Sequence, residues 1–315
     1  MNTCSDSETP TSRMIQPSND VAPAFDRVSA RIKSLGLEQA AAELDAYGFT
    51  ILEPGRAAPL ELVDQLHNRI IQLADQSSDA LELQSPERVQ KSARNTRPTG
   101  QQIFYLLFED PLFERALMNE HGLALIDYLL GEACVLSSLS AMVKGVGEHG
   151  LTVHTDSAMV PPPFPPYAQV ANVTWLLTDY SRENGSLFVV PGSHKLRRHP
   201  TRTDDVPEDW LVPIEAPRGS LVIWHGALWH GSFPRKTSGW RVNLIALFCR
   251  MYMKTQEPYR NHVPAEVLAR NDKRFARLMG QHIAYGWTEE GPDFTHPQRA
   301  KYLGLERLPL DRLFD

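Results

Sequence analysis

Hydrophobic positions recur with two different periods along the 315-residue chain. Between about residues 26 and 134 they return every three or four positions, which is typical of amphipathic helices. Helices are expected over 27–48 and 60–75, and one or two helices are expected over 111–131. A short strand is predicted at 49–54 (FTILEP), and a polar loop is predicted over 82–101.

The pattern changes over 135–250, where short runs rich in β-branched and aromatic residues alternate with Gly/Pro turns. Strands are expected within 135–146, 169–180, 186–192, 220–226 and 241–252. Residues 251–315 return to helical and irregular character, with the clearest helix over 263–280. This order predicts a mainly β (α+β) fold, a sandwich or closed barrel with flanking helices. We expect one domain over 26–315 after a flexible tail at 1–25.

Composition narrows the class of protein. The net charge of −6 argues against broad nucleic-acid binding, and no apolar run approaches the roughly 18 residues of a membrane span. The polar N-terminus lacks the apolar segment of a secretory signal, so we expect a cytoplasmic protein. Three unpatterned cysteines form neither a disulfide framework nor a zinc cluster, and Cys134 and Cys249 are expected in the core.

The first chemical signal is His154 and Asp156 in the segment VHTD. On an extended backbone, residues two apart point the same way, so an imidazole and a carboxylate can converge on one divalent metal. A third ligand is expected from a distant strand, and the candidates in LVIWHGALWHGS are His225 and His230. We favour His230, because Gly231 and the following residues can begin a strand and an arginine follows eleven residues later.

That arginine, Arg241, opens the otherwise apolar run RVNLIALF. It could be an ordinary residue of the barrel rim, or it could present its planar guanidinium to a carboxylate inside the barrel. Two histidines and one carboxylate leave three metal positions open, which suits Fe(II) handling dioxygen and a chelating co-substrate. An arginine nearby suits a dicarboxylate co-substrate.

The chain resembles the phytanoyl-CoA dioxygenase family of Fe(II)/2-oxoglutarate-dependent oxygenases. The resemblance rests on HTD at 154–156, ENGSLFVVPGSHK at 183–195 and GSLVIWHGALWHGS…SGWR at 219–241. It implies a double-stranded β-helix, the jelly-roll fold of cupin-like barrels, for residues 135–250, with a helical flank over 26–134 and a helical extension over 251–315.

The resemblance also implies roles for individual residues. His154, Asp156 and His230 would be the iron ligands, which are the catalytic set. The residues that would bind 2-oxoglutarate are Arg241, Ser232 and, from a looser motif, Thr174. Because Asp156 is present, the halide site of some relatives is not expected. The implied cofactors are Fe(II), 2-oxoglutarate and O₂.

The substrate pocket is less well specified by sequence. Met142 and Lys144 alternate on one strand, and either could line the pocket. The proline-rich loop at 157–169 is expected to shape its entrance. The candidate substrate contacts are Gln101, Gln102, Phe104, Tyr105 and Met142.

The expected function is hydroxylation of a C–H bond in a small organic metabolite, with release of succinate and CO₂. Two alternatives stay open. The same oxidant could produce desaturation, cyclisation or epoxidation, or the fold could be a non-redox metal-binding jelly roll. The expected partner is a small molecule, without nucleic acid or membrane, and the sequence leaves the substrate's identity and the oligomeric state open.

Overall fold

The computed structural model describes residues 22–56, 58–75, 94–97, 100–147, 149–281, 287–288 and 291–292. The chain divides into two compact units, residues 28–282 and residues 1–27 together with 283–315. In the second unit, the hairpin Trp287–Thr288 and Gly291–Pro292 is described. Apart from residues 22–27 of the first helix, the features below belong to the first unit. The assignment of 26–315 to one domain stays a prediction.

Seven helices are described: α1 Ala22–Ser34, α2 Glu38–Tyr47, α3 Leu60–Asp75, α4 Pro111–Leu117, α5 Glu120–Leu130, α6 Ala265–Arg270 and α7 Lys273–Leu278. The single helix expected over 27–48 is two helices, because Gly36 adopts a left-handed φ of +63° between them. Gly48 ends α2 in the same conformation (φ +86°) with its N–H bonded to Leu44 O. The helix expected over 263–280 also breaks, where the Asp272 side chain accepts from Phe275 N and starts α7.

Eleven described strands form the two sheets of the first unit: β1 Phe49–Leu52, β2 Arg94–Arg97, β3 Gly100–Ile103, β4 Val135–Lys144, β5 Leu151–His154, β6 Val170–Leu176, β7 Leu187–Val189, β8 Val212–Pro213, β9 Leu221–His225, β10 His230–Ser232 and β11 Arg241–Cys249. The large sheet has the order β1-β9-β6-β11-β4-β3-β2, and the small sheet has the order β5-β10-β7-β8. All pairs are antiparallel. Non-sequential neighbours in two facing sheets make the predicted jelly-roll, which is confirmed.

The two faces of the large sheet have different chemistry because strand side chains alternate. One face carries apolar residues such as Leu139, Ala141 and Leu244, which belong to the same buried cluster as the helix residues. Helices α3 and α7 contact β4, and α5 contacts β6 and β9. The other face carries Ser138, Ser140 and further polar residues that line a cavity. Burial of one face against helices therefore fixes the register that points the polar face inward.

The polar loop predicted at 82–101 is wrong where the structure describes it, because β2 and the start of β3 fall there. Residues 82–93 and 98–99 of that range lie outside the described residues. The β3 segment is rich in glutamine, a poor strand signal, and it becomes a strand through pairing with β4, Gln102 opposite Met142. Among the described residues, no helix is long and apolar enough to cross a membrane.

Candidate metal and co-substrate site

A cavity of about 250 Å³ is lined by residues of both sheets. Strand register arranges its large-sheet wall in rows of side chains. One row joins Lys144 of β4 to Arg241 of β11. Six residues back along β4, another row contains Ser138, Leu247, Asn172 and Trp224. One end of the cavity is therefore cationic. At the other end, the row of residues that the large sheet contributes carries no charge.

His154, Asp156 and His230 come together at the edge of the small sheet. His154 ends β5 and pairs with His230, which begins β10. One potential ligand atom from each of the three residues lies within 4.8 Å of the others, and the imidazole centroids are 4.3 Å apart. The Nδ1 atoms of the two histidines donate to Thr152 O at 2.8 Å and Leu228 O at 2.9 Å. Both Nε2 atoms are thereby left as lone-pair donors for a metal.

Asp156 is oriented by two neutral donors. Its Oδ2 accepts from Asn172 Nδ2 at 2.7 Å and from Trp224 Nε1 at 3.0 Å. Burial alone would raise the pKa of Asp156, but His230, His154 and the hydrogen bond from Trp224 together lower that pKa to about 2. The carboxylate is therefore ionised at neutral pH, as a metal ligand must be.

The pKa values of the two imidazoles move in opposite directions. Burial, followed by the nearby His230, lowers the pKa of His154. Burial also disfavours the charged form of His230, but the adjacent Asp156 carboxylate outweighs it and raises the pKa of His230. Its Nε2 lies 3.4 Å from Asp156 Oδ2, so the carboxylate favours positive charge at this position.

Arg241 is buried at the cationic end and is only 2% exposed. Its Nη1 donates to Gly185 O at 2.7 Å, its Nη2 contacts Met142 Sδ at 3.2 Å, and its guanidinium lies 4.9 Å from the centroid of the Tyr180 ring. None of these described contacts is a carboxylate. A buried guanidinium facing a cavity without an acidic partner calls for an anionic ligand.

Lys144 determines how Ser232 can hydrogen-bond. The buried ammonium donates to Ser232 Oγ at 3.2 Å and to Phe233 O at 2.8 Å, and Leu151 N also donates to Ser232 Oγ at 3.0 Å. Both lone pairs of the hydroxyl are thus used by donors, so its O–H can only donate. Ser232 is therefore set up to bind an acceptor such as a carboxylate.

The residues present fit Fe(II) and 2-oxoglutarate. Two imidazole nitrogens and one carboxylate are a suitable ligand set for non-haem iron with open positions. In the described structure, three buried polar atoms that belong to cavity-lining residues have no hydrogen-bond partner: Thr174 Oγ1, Arg241 Nε and Asn243 Oδ1. Unpaired buried polar atoms are costly, and a dicarboxylate with a keto group supplies acceptors for the two donors among them, the Thr174 hydroxyl and the Arg241 Nε–H.

Most of the residues expected from sequence line this cavity: His154, Asp156, His230, Arg241, Ser232, Thr174, Gln101, Gln102, Phe104 and Met142. Tyr105 is missing from the described lining residues, and its backbone N–H donates to Glu257 instead. His225 is not part of the triad. It ends β9, and its Nδ1 accepts from Ala227 N–H at 3.0 Å.

Three important residues were missed or misread from sequence. Asn172 precedes the expected Thr174 by two positions, so strand alternation could have found it. Trp224 carries no local sequence signal that marks it as the donor to Asp156. Lys144 was considered for the pocket, but its partnership with Ser232 depends on a residue 88 positions away.

A two-sheet jelly roll with two histidines, one carboxylate and a buried arginine defines the class of 2-oxoglutarate-dependent iron dioxygenases. The chain matches the model of the family Phytanoyl-CoA dioxygenase (PhyH) over residues 44–243 and belongs to that family. Enzymes of this family use Fe(II), 2-oxoglutarate and O₂, so the predicted class and cofactors are confirmed.

Named relatives support this assignment. Dioxygenase af480 of Aspergillus fumigatus is 29% identical over 277 residues, covering 86% of this chain and 85% of that protein. Dioxygenase FUM3 of Gibberella moniliformis is 26% identical over 185 residues, covering 56% of this chain and 59% of that protein. Sequence similarity to a named dioxygenase therefore extends well beyond the metal-binding motifs.

Solved structures share the fold. HygX from Streptomyces hygroscopicus, with nickel and 2-oxoglutarate bound, has a TM-score of 0.54 at 17% identity, covering 69% of this chain and 88% of that one. The α-ketoglutarate-dependent epimerase SnoN from nogalamycin biosynthesis has a TM-score of 0.53 at 20% identity, covering 70% of this chain and 84% of that one. At these identities the likeness shows the fold.

Proposed function

We propose that this protein hydroxylates a C–H bond of a small organic metabolite, consuming 2-oxoglutarate and O₂ and releasing succinate and CO₂. The observation that carries the proposal is the His154–Asp156–His230 cluster in a cavity whose other end holds buried Arg241. A non-redox metal protein has no need of 2-oxoglutarate, whereas the buried guanidinium suits the carboxylate of that co-substrate. The cytoplasmic location expected from sequence stays part of the proposal and is testable by cell fractionation.

His154, Asp156 and His230 hold the iron in this proposal. Hydrogen bonds to Thr152 O and Leu228 O fix the two rings, while Asn172 and Trp224 fix the carboxylate. Iron(II) with 2-oxoglutarate and O₂ supplies an oxidant strong enough for C–H bonds. The protein's share is orientation and exclusion of water, since the surrounding side chains provide no described acid–base pair for the chemistry.

Arg241 and Ser232 bind the distal carboxylate of 2-oxoglutarate in this proposal, and Thr174 lines the path between that carboxylate and the metal. The guanidinium contributes charge and Ser232 contributes a donor that Lys144 and Leu151 fix in direction. In the overall reaction, one oxygen atom enters the C–H bond and the other enters succinate. The substrate and 2-oxoglutarate each supply two of the four electrons that O₂ takes up.

The test is turnover of 2-oxoglutarate by purified protein with Fe(II) and ascorbate against a metabolite collection, scored by succinate. Product mass spectrometry under isotopically labelled dioxygen then assigns the outcome. Hydroxylation requires succinate together with one labelled oxygen in the product. Succinate with an unlabelled product would replace hydroxylation by desaturation or epimerisation. Absence of 2-oxoglutarate binding would contradict the class of reaction.

A further inference from the structure

One wall of the cavity has no part in holding the metal or the co-substrate. It consists of Phe104, Ser138, Ser140, Leu247 and Gln256, and we call these five residues the neutral wall. Ser138 and Ser140 are each 4% exposed, whereas Gln256 is exposed to solvent. The neutral wall therefore extends from the interior to an opening.

The neutral wall is level with the metal ligands. Ser138 pairs with Leu247 across β4 and β11, Leu247 pairs with Asn172, and Asn172 pairs with Trp224. Asn172 and Trp224 are the two donors to Asp156. A molecule lying against the neutral wall would thus be beside the proposed iron site.

The cationic side chains that line the cavity lie far from the neutral wall, measured along strand β4. Lys144 follows Ser140 by four residues and Ser138 by six, or roughly 13 and 20 Å of extended backbone. Arg241 is in register with Lys144. Among its described residues, the neutral wall offers hydroxyl, amide and hydrocarbon groups and no formal charge. The Gln256 amide accepts from Ser138 Oγ at 2.7 Å, which leaves its NH₂ to donate.

A buried carboxylate holds the neutral wall from behind. Glu257 accepts from Tyr105 N at 2.9 Å, from Leu139 N at 3.2 Å and from the Tyr259 hydroxyl. Tyr105, Leu139 and Glu257 itself are the sequence neighbours of Phe104, Ser138 and Gln256. The Glu257 side chain thereby links the three segments that form the wall. Its carboxylate is hydrogen-bonded to these segments behind the wall and does not face the cavity.

We infer that the neutral wall binds the organic substrate, and that this substrate is an uncharged molecule with a hydroxyl or carbonyl group on a hydrocarbon skeleton. The inference rests on the proposed function. A carboxylate, phosphate or ammonium placed on this wall would lose hydration without gaining an opposite charge. Neutral oxygen groups find donors and acceptors there, and Phe104 and Leu247 cover the hydrocarbon part. Glu257 is a positioning residue for the wall.

The test uses three probes with one skeleton: cyclohexylmethanol, cyclohexanecarboxylate and cyclohexylmethylammonium. Affinities are measured by ligand-observed NMR on protein loaded with Fe(II) and 2-oxoglutarate without dioxygen. The visible charge-transfer band of the iron–2-oxoglutarate complex is recorded on the same samples. We expect the alcohol to bind at least about tenfold more tightly than either charged probe.

Two variant pairs test whether the neutral wall causes that ranking. Ser140→Asp should abolish the advantage of the alcohol over the ammonium, while Ser140→Asn, similar in size and uncharged, should keep it. If Ser140→Asp does not fold, Gln256→Glu at the opening should shift the ranking in the same direction. Gln39→Glu, at an exposed position of α2, should not shift it. Glu257→Gln should weaken binding of the alcohol several-fold and leave the affinity for 2-oxoglutarate unchanged.

Each contrary result has a separate meaning. A charged probe that binds as well as the alcohol, no binding of any probe, or a ranking unchanged by charge at the wall would overturn the substrate class. Parallel loss of alcohol and 2-oxoglutarate affinity in Glu257→Gln would overturn its positioning role. Absence of the charge-transfer band in wild-type protein would instead reject the proposed function.

Discussion

The described part of the molecule contains two histidine pairs that look alike locally and differ in what surrounds them. His154 and His230 have ring centroids 4.3 Å apart, and His194 and His225 have centroids 5.2 Å apart. The first pair converges with Asp156 on a cavity. The second packs against the backbone, and a Cβ added at Gly48 would lie only 2.5 Å from His194 Nδ1. Two adjacent imidazoles therefore do not make a metal site without a carboxylate and space for ligands.

Electrostatics separates the pairs in the same way. The Asp156 carboxylate raises the pKa of His230 despite burial. Burial, with the neighbouring His194, lowers the pKa of His225 to about 3, and burial also lowers the pKa of His194. The nearby Asp45 accepts from the Tyr128 hydroxyl at 2.6 Å. The first pair is thus arranged to bind a cation, and the second to remain neutral.

Exchange of single histidines tests this contrast most strongly. We expect His154→Ala or His230→Ala to abolish iron binding and turnover, because the three-ligand set has no described substitute. His225→Ala should leave one Fe(II) bound per chain. Anaerobic iron titration of folded protein measures this, with circular dichroism as the control for folding. Retained iron binding in His230→Ala with loss in His225→Ala would reverse the assignment.

Asp156→Gly should make the first pair resemble the second. The change removes the anionic ligand and leaves the Asn172 and Trp224 donors without their acceptor. Iron affinity should fall by at least about a hundredfold, since a cluster of imidazoles without a carboxylate binds Fe(II) less well, and hydroxylation should cease. Iron titration and succinate release provide the measurement. Normal turnover in this variant would show that the carboxylate is not a ligand.

Arg241→Ala removes the buried cation from the cavity that the first pair lines. Losing a buried charge-assisted contact typically costs about 2–5 kcal/mol, so the apparent KM for 2-oxoglutarate should rise at least about tenfold. Arg241→Lys should recover part of the loss, because an ammonium cannot provide the planar fork. Iron affinity should stay nearly unchanged. Parallel titrations of iron and 2-oxoglutarate test this, and an unchanged 2-oxoglutarate dependence contradicts the assignment.

The smallest expected effect is a pH dependence of stability from the second pair. The pKa of His225 is near 3 when folded and near its ordinary 6.5 when unfolded. Below pH 6.5 the unfolded chain therefore binds a proton that the folded chain does not, and the free energy of unfolding falls as pH falls.

His225→Gln should remove a slope on the order of 1 kcal/mol per pH unit between pH 6 and 4. Urea unfolding of wild type and variant across that range isolates the difference, with Gln39→Lys as a surface control. Identical slopes for wild type and His225→Gln would show that His225 does not carry this linkage.

Sequence alone predicted the features that depend on local periodicity or on one short motif. The 3.6-residue pattern gave α3 at its observed bounds, and strand-like runs identified β4, β6 and β11. The spacing of His154 and Asp156 indicated a shared direction, because strand geometry makes residues two apart lie on one side. The family resemblance supplied the class of chemistry, which the family match confirms. The polar segment that contains β2 and β3 was missed because its strands depend on a neighbouring strand.

Only the tertiary structure decided how distant groups combine. His225 and His230 have the same local sequence context, a preceding tryptophan, and strand pairing brings His230 beside His154. The Ser232 hydroxyl can only donate because it accepts from Lys144, a residue 88 positions before it in sequence. The neutral wall forms because Glu257 accepts from two backbone amides more than 100 residues away. A periodic pattern determines which way a side chain points, but long-range packing and hydrogen bonding determine what it meets there.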